Sequence, residues 1–225
     1  MKQVSKLMRL FLPASCRERF DELRLGYTMV THEQSYLKQT GFLYSKISEK
    51  ELLSDNQEVI PWMNYPAIEF LKERINASHN IFEYGSGASS LFFAKRARRV
   101  ISIEYDEKWY HKVKDVLHPY KNAEVYFVPV GKAYIESCMR MKGAINILIV
   151  DGRERVACSK FALDCLADDG VVIFDDSDRE RYREGLSYYQ NKGFKKLSFR
   201  GLKPNGIGTE ETSILYRSQQ NCFGL

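Results

Sequence analysis

The chain has 225 residues, 44% hydrophobic and 28% charged, with a formal net charge of +5 at pH 7. Such a length and composition fit one ordinary globular domain with an extension, not two full domains. No uninterrupted apolar run approaches the roughly 18 residues needed to span a bilayer, and the mild positive charge suits an anionic cofactor or substrate without demanding one.

The first stretch, MKQVSKLMRLFLPASC, places Lys2 and Lys6 before an apolar patch and Cys16 after Ala14 and Ser15. A secretory or lipoprotein signal would look similar. Arg9 interrupts the patch, however, and Pro13 stands where an apolar residue is wanted, so the stretch reads as a short amphipathic segment. Residues 1–60 are charge-rich and lack strand patterning. They are expected to form a helical and loop extension that covers part of a site, with the main domain over 61–225. The five cysteines are odd in number, irregular in spacing and free of any C-x-x-C pair. That pattern points away from zinc or a disulfide framework and toward reduced thiols in a cytoplasmic protein.

A helix is predicted where Pro66 opens a run with Ile68, Leu71 and Ile75 at helical spacing. From residue 81 strand and helix alternate. The strands read as IFEYG (81–85), RVISIEYD (99–106), AEVYFVPV (123–130), INILIVDG (145–152) and VVIFDD (171–176). The helices between them read as SSLFFAKRA, EKWYHKVKDVL, KAYIESCMRM and SKFALDCLAD, the last ended by Gly170. A further helix, RERYREGLSYYQNKG, closes on Gly193. Two strands follow without a helix between them, KKLSFRG and TSILYRS, so they must pair antiparallel. The fold class is therefore α/β, a Rossmann-like doubly wound sheet. Five parallel strands are joined by a C-terminal antiparallel hairpin, seven strands in all, with helices on both faces.

Ligands of such sheets bind beyond the carboxyl ends of the strands, at the switch point. Glu83 to Gly87, Glu104, Asp151, Asp175 and Asp176 all fall at carboxyl ends and are expected to ring one cleft. Gly85 and Gly87 allow close backbone approach to a ligand. Glu104, 19 residues beyond Gly85, is placed to accept both hydroxyls of an adenosine ribose. The dinucleotide fingerprint lacks its third glycine, replaced by Ser90, and Glu83 beside the loop would repel a pyrophosphate. Tyr188 with Lys192 and Tyr110 with Lys114 form Y-x-x-x-K pairs, as in some dehydrogenases. Each lies away from the ligand edge and reads as helix surface.

Taken in order, EYGSG (83–87), Glu104, VDG (150–152), FDD (174–176) and the terminal hairpin resemble the class I S-adenosylmethionine-dependent methyltransferase family over residues 65–217. The resemblance implies an S-adenosylmethionine cofactor, with Glu83 toward its ammonium group, directly or through water, and Glu104 on its ribose. Ser86, Ser89, Ser90 and the free amides of the following helix would hold its carboxylate end. Tyr105 or Trp109 would lie against the adenine, and Asp151 joins the cofactor contacts. The polar residue that the family often carries after strand three is missing, which leaves the adenine amino group to backbone near Val130 and Gly131.

The acidic ends of strands four and five are similar to the metal-dependent O-methyltransferases of the catechol and caffeoyl type. The likeness makes Asp151, Asp175 and Asp176 a candidate Mg²⁺ or Ca²⁺ site, since carboxylates are hard oxygen ligands. Two plainer readings stand beside it. The carboxylates can act as caps, or Arg153 and Arg155 can neutralise them. Asp151 or Asp176 would then be the general base, with Arg153 as a further catalytic candidate. Arg153, Arg155 and Arg179 also suit an acceptor with an anionic group, such as a uronic acid or phosphorylated sugar. Trp62, Tyr65 and the segment near His32 are candidates for the acceptor wall.

The expected activity is methyl transfer to oxygen of a small molecule or saccharide. The alternatives are an NAD-dependent oxidoreductase and a non-catalytic cofactor-binding relative. Nucleic acid is not the expected partner. The basic run KRARR (95–99) sits at a helix end opposite the ligand edge, and no Asn-Pro-Pro-Tyr type element follows strand four. Oligomeric state is left open, a homodimer included.

Overall fold

The computed structural model describes residues 11–42, 58–204 and 206–225. Most of the amphipathic N-terminal segment, the stretch 43–57 and Asn205 of the hairpin connector lie outside them. The chain divides into two units at Glu58/Val59. Within the first, the described residues form α1 (Ala14–Thr31) and the single turn α2 (Tyr36–Gln39), which Ser35 caps by accepting the Lys38 amide (3.3 Å).

The second unit opens with α3 (Tyr65–Arg74), and the apolar spacing read from the sequence buries Ile68 and Leu71. Asn64 caps it, its Oδ1 accepting the Ala67 amide at 3.1 Å. Seven strands follow: β1 (Asn80–Tyr84), β2 (Arg99–Glu104), β3 (Ala123–Phe127), β4 (Ile145–Val150), β5 (Leu166–Asp175), β6 (Lys195–Leu202) and β7 (Thr209–Tyr216). They form one sheet in the order β3-β2-β1-β4-β5-β7-β6. The first five pair in parallel, and β7 enters antiparallel between β5 and β6. β6 thus points the same way as β1–β5. Helices α4 (Ala88–Ala94), α5 (Glu107–Leu117), α6 (Lys132–Ile135), α7 (Arg155–Ala162) and α8 (Arg183–Asn191) complete the unit, and both faces of the sheet carry helices.

The fold agrees with the alternation read from the sequence, with local corrections. The predicted helix over KAYIESCMRM is a single α turn followed by a 3₁₀ segment, Glu136–Met141. Gly170 does not end a helix. It lies inside β5, whose register shifts between Ile145 and Ile147 of β4. A Cβ on Gly170 would stand 2.8 Å from the Ile145 carbonyl oxygen, so the glycine permits this close crossing of two strands. Gly193 does close α8, at φ 83°, with its amide donating to the Gln190 carbonyl at 3.0 Å.

Strands β4 and β5 run through the centre, and Ile147–Val150 with Val171–Phe174 are fully buried. Their continuous apolar pattern reflects burial on both faces. From β1 the chain winds outward through β2 and β3, whereas β4 and β5 lie on the other side. The switch point therefore falls between β1 and β4, and it puts Gly85 opposite Asp151 and Gly152.

Candidate functional site

A cleft of about 770 Å³ opens at this switch point, lined among others by Gly85, Glu104, Tyr105, Asp151 and Arg179. Its floor depends on two glycines. Gly85 has φ 102°, a conformation that costs a side-chain-bearing residue dearly, and a Cβ there would lie 3.3 Å from the Gly152 amide. A Cβ on Gly152 would strike the Tyr134 hydroxyl and sit 2.8 Å from the Gly85 amide. The loops after β1 and β4 thus touch backbone to backbone.

Glu104 closes β2 at 4% exposure and borders the cleft. Its Oε1 accepts the amides of Tyr105 (2.8 Å) and Asp106 (2.9 Å), and its Oε2 accepts the Ser86 hydroxyl (2.8 Å). Three of about four acceptor positions on the carboxylate are thereby used. A ribose diol needs two, so the Ser86 hydroxyl is the contact that a ligand would replace. Trp109 holds the glycine loop from outside, its Nε1 donating to the Ser86 carbonyl at 2.8 Å and its ring packed against Gly87. Asp106 starts α5 by accepting the Trp109 amide at 2.9 Å, which fixes the indole at the cleft rim.

Glu83 behaves differently from its expected role. It is 1% exposed and does not border the cleft. Ser89, Ser90 (2.5 Å) and Ser102 (2.8 Å) all donate hydroxyls to its carboxylate. Burial pushes its pKa up to about 7, against those hydrogen bonds and with a smaller contribution from the Glu104 charge. Direct contact with a cofactor ammonium is therefore corrected to a supporting role under the glycine loop. Ser90 is likewise fully buried. Its Oγ accepts the Gly87 amide at 3.1 Å, so it caps α4 rather than facing a ligand. Ser89 is the hydroxyl between Glu83 and the cleft. Neither Val130 nor Gly131 borders the cleft.

At the other wall, the three aspartates do come together, each with a carboxylate oxygen within 4.8 Å of the others. Their surroundings are cationic. Arg155 donates to Asp151 Oδ1 (2.7 Å), to Asp176 Oδ2 (3.2 Å) and to the carbonyls of Asp151, Gly152 and Asp175. Lys203 Nζ donates to Asp175 Oδ2 (3.0 Å), Asp176 Oδ1 (3.3 Å) and Glu210 Oε2 (2.8 Å). Arg179 pairs with Asp176 Oδ1 at 3.0 Å. Thr212, itself bonded to the α3 cap Asn64 (3.0 Å), donates to Asp175 Oδ1 at 2.6 Å. The oxygens that a metal would need already hold ammonium and guanidinium groups. The Mg²⁺ or Ca²⁺ expectation is therefore corrected: this donor set does not fit a divalent cation.

The two base candidates also separate. Asp176 is 3% exposed, away from the cleft, and takes a left-handed backbone, φ 56°. Burial works to raise its pKa, but the Glu210 hydrogen bond and the charges of Lys203, Arg155 and Arg179 outweigh it and hold the group below the usual carboxylate range. It is a poor base. Asp151 borders the cleft, and burial together with the Asp175 charge raises its pKa well above the ordinary value, against Arg155 and Lys203. Arg155 neutralises the aspartates as one reading expected. Arg153 does not: it is exposed and donates to the Tyr105 hydroxyl at 2.9 Å, with its guanidinium over the Tyr105 ring.

Several further expectations are decided by packing. Tyr65 is 1% exposed and belongs to the core, not to an acceptor wall, whereas Trp62 is 56% exposed. Lys192 and Lys114 lie over the rings of Tyr188 and Tyr110, at 5.8 and 5.5 Å, on helix surfaces outside the cleft. Lys203, Ser102, Arg181 and Tyr182 were not singled out from the sequence. Lys203 gave no signal beyond its place in a Pro-Gly turn, and Ser102 none beyond its inward position in a strand. The cysteines are free thiols. Among the described residues, no helix is long and apolar enough to cross a membrane.

No family model and no curated protein matches this sequence. Solved structures do. An rRNA methylase from Streptococcus thermophilus aligns at 18% identity and TM-score 0.53, over 66% of this chain and 92% of its own. An S-adenosylmethionine-dependent O-methyltransferase from Thermotoga maritima aligns at 14% and 0.53, over 67% of this chain and 63% of its own. Fibrillarin from Aeropyrum pernix, solved with natively bound S-adenosyl-L-methionine, aligns at 12% and 0.51, over 63% and 68%. At these identities the likeness establishes the fold, and the fold is that of the class I methyltransferases.

Proposed function

With that fold as the frame, we propose that the chain transfers a methyl group from S-adenosylmethionine to an oxygen of a small-molecule or saccharide acceptor bearing an anionic group. The observation that carries this reading is the Glu104 carboxylate at the switch-point cleft, beside a glycine loop backed by a buried carboxyl. A buried carboxyl beneath that loop suits a neutral or cationic group better than a doubly charged pyrophosphate. Ser86, Ser89 and Glu104 offer instead the acceptors and donors that a nucleoside joined to an amino acid requires.

When bound, S-adenosylmethionine supplies an activated methyl group. The chain supplies position and a proton acceptor. Asp151 is oriented by Arg155 and faces the cleft with its proton affinity raised, so one carboxylate oxygen can take the proton of an acceptor hydroxyl. Arg153, Arg179 and Arg181 stand along the same wall and suit a carboxylate or phosphate on the acceptor. We assign residues 61–225 to the cofactor-binding domain, with residues 1–60 as an N-terminal helical and loop extension. We place the enzyme in the cytoplasm, in keeping with its free thiols, with nucleic acid as a less favoured acceptor.

Calorimetric titration tests the cofactor class. S-adenosylhomocysteine should bind and NAD should not; tight NAD binding alone would make the chain an oxidoreductase. Transfer of labelled methyl groups to a panel of anionic glycosides and phenols separates the enzyme from a non-catalytic binder.

A further inference from the structure

The acidic triad poses a question that the methyl-transfer reading leaves open: why three carboxylates converge at strand ends where no metal fits. Lys203 answers it. Its side chain leaves the β6–β7 connector and turns inward, and the residue is 9% exposed. All three ammonium donors are spent on carboxylates, those of Asp175, Asp176 and Glu210. Arg155 closes the opposite side, bridging Asp151 and Asp176 while its remaining donors hold backbone carbonyls at the ends of β4 and β5. With Arg179, three cations face four carboxylates. One unit of negative charge remains, and Asp151 is the member of the set that borders the cleft.

We infer that Lys203 is the resident cation of this cluster. Its ammonium, with the Arg155 guanidinium, takes the place that a divalent metal would fill, and it positions the carboxylate wall without one. The geometry also explains the sequence order. An ammonium has a single charge and three directed donors, so it needs a partner guanidinium to balance the set, and it arrives from the hairpin, which a metal site built on β4 and β5 would not require. Replacing Lys203 by a neutral residue leaves an excess of two negative charges around a pocket of hard oxygens, which is the charge and donor chemistry of a divalent cation site. Lys203 is a positioning residue here, and only its effect on turnover rests on the methyl-transfer reading.

The test is Mn²⁺ titration of the full chain, followed by electron paramagnetic resonance, for the native protein, Lys203→Arg, Lys203→Gln and the double variant Lys203→Gln/Asp176→Asn. The native protein and Lys203→Arg should show no saturable Mn²⁺ site. Lys203→Gln should gain one, at least ~10-fold tighter than any native binding, and Asp176→Asn should remove it again. A saturable site in the native protein as tight as that of Lys203→Gln would overturn the inference. A folded Lys203→Gln that gains no site would overturn it equally. Should Lys203→Gln fail to fold alone, recovery of its circular dichroism by Mn²⁺ supports the assignment, and failure of Mn²⁺, Mg²⁺ and Ca²⁺ to restore it counts against. S-adenosylhomocysteine titration of the same native sample reports on the cofactor reading separately, so the two can fail independently.

Discussion

Glu83→Gln gives the sharpest physical test of the site's foundation. The native carboxyl titrates at about 7 in the folded chain against an ordinary 4.5. Between those values the folded protein keeps a proton that the unfolded chain releases. The contribution to stability is therefore fully present below pH 4.5 and is lost as pH rises through about 7. From these two values, Glu83 favours folding by about 2.5 kcal/mol more at pH 5 than at pH 8. Glutamine has the shape of the neutral acid and cannot ionise. Urea unfolding of both proteins at pH 5, 6, 7 and 8 isolates the effect, because titrations common to both, such as that of His79, cancel in the difference. Relative to the native protein, Glu83→Gln should gain about 2.5 kcal/mol on going from pH 5 to pH 8. A difference that stays flat within about 0.5 kcal/mol would mean that the serine hydroxyls fully stabilise the anion, and the account of a near-neutral carboxyl under the loop would be refuted.

Other outcomes follow from the same geometry. Glu104→Ala should weaken S-adenosylhomocysteine binding by about 1–3 kcal/mol, since it removes a charged acceptor from the ribose position; unchanged calorimetric affinity would take Glu104 out of the site. Asp151→Asn should cut kcat by roughly 10²–10⁴-fold while S-adenosylhomocysteine affinity changes little, and equal loss of both would make Asp151 a binding group instead of a base. Gly152→Ala should lower thermal stability and cofactor affinity together, because the added methyl strikes the Tyr134 hydroxyl and presses on Gly85. A variant with native melting temperature and affinity would show that the two loops separate at little cost.

The alternation of strand and helix was legible because each parallel strand is locally marked. INILIV and VVIF are apolar runs too short for helices, and the missing helix between KKLSFRG and TSILYRS demanded a hairpin. The extent of β5 was not legible. ADDG looks like a helix end, and only pairing with β4 across a register shift makes it strand. In the site, glycines and strand-end carboxylates were readable because their positions follow from the direction of a parallel sheet.

The sequence by itself determined which residues reach the carboxyl edge, since a strand's end and the period of its side chains are local properties. It could not decide what those residues face. Glu83 and Glu104 are both acids next to the glycine loop's strands, yet one is enclosed by three hydroxyls and the other borders the cleft. Asp151, Asp175 and Asp176 are alike on paper, and their roles part only when Arg155, 4 residues beyond Asp151, and Lys203, 28 residues beyond Asp175, reach them. Burial and charge compensation act through space, over a few ångströms and without regard to chain order, so only the tertiary structure could tell a candidate metal site from a cluster already held by its own cations.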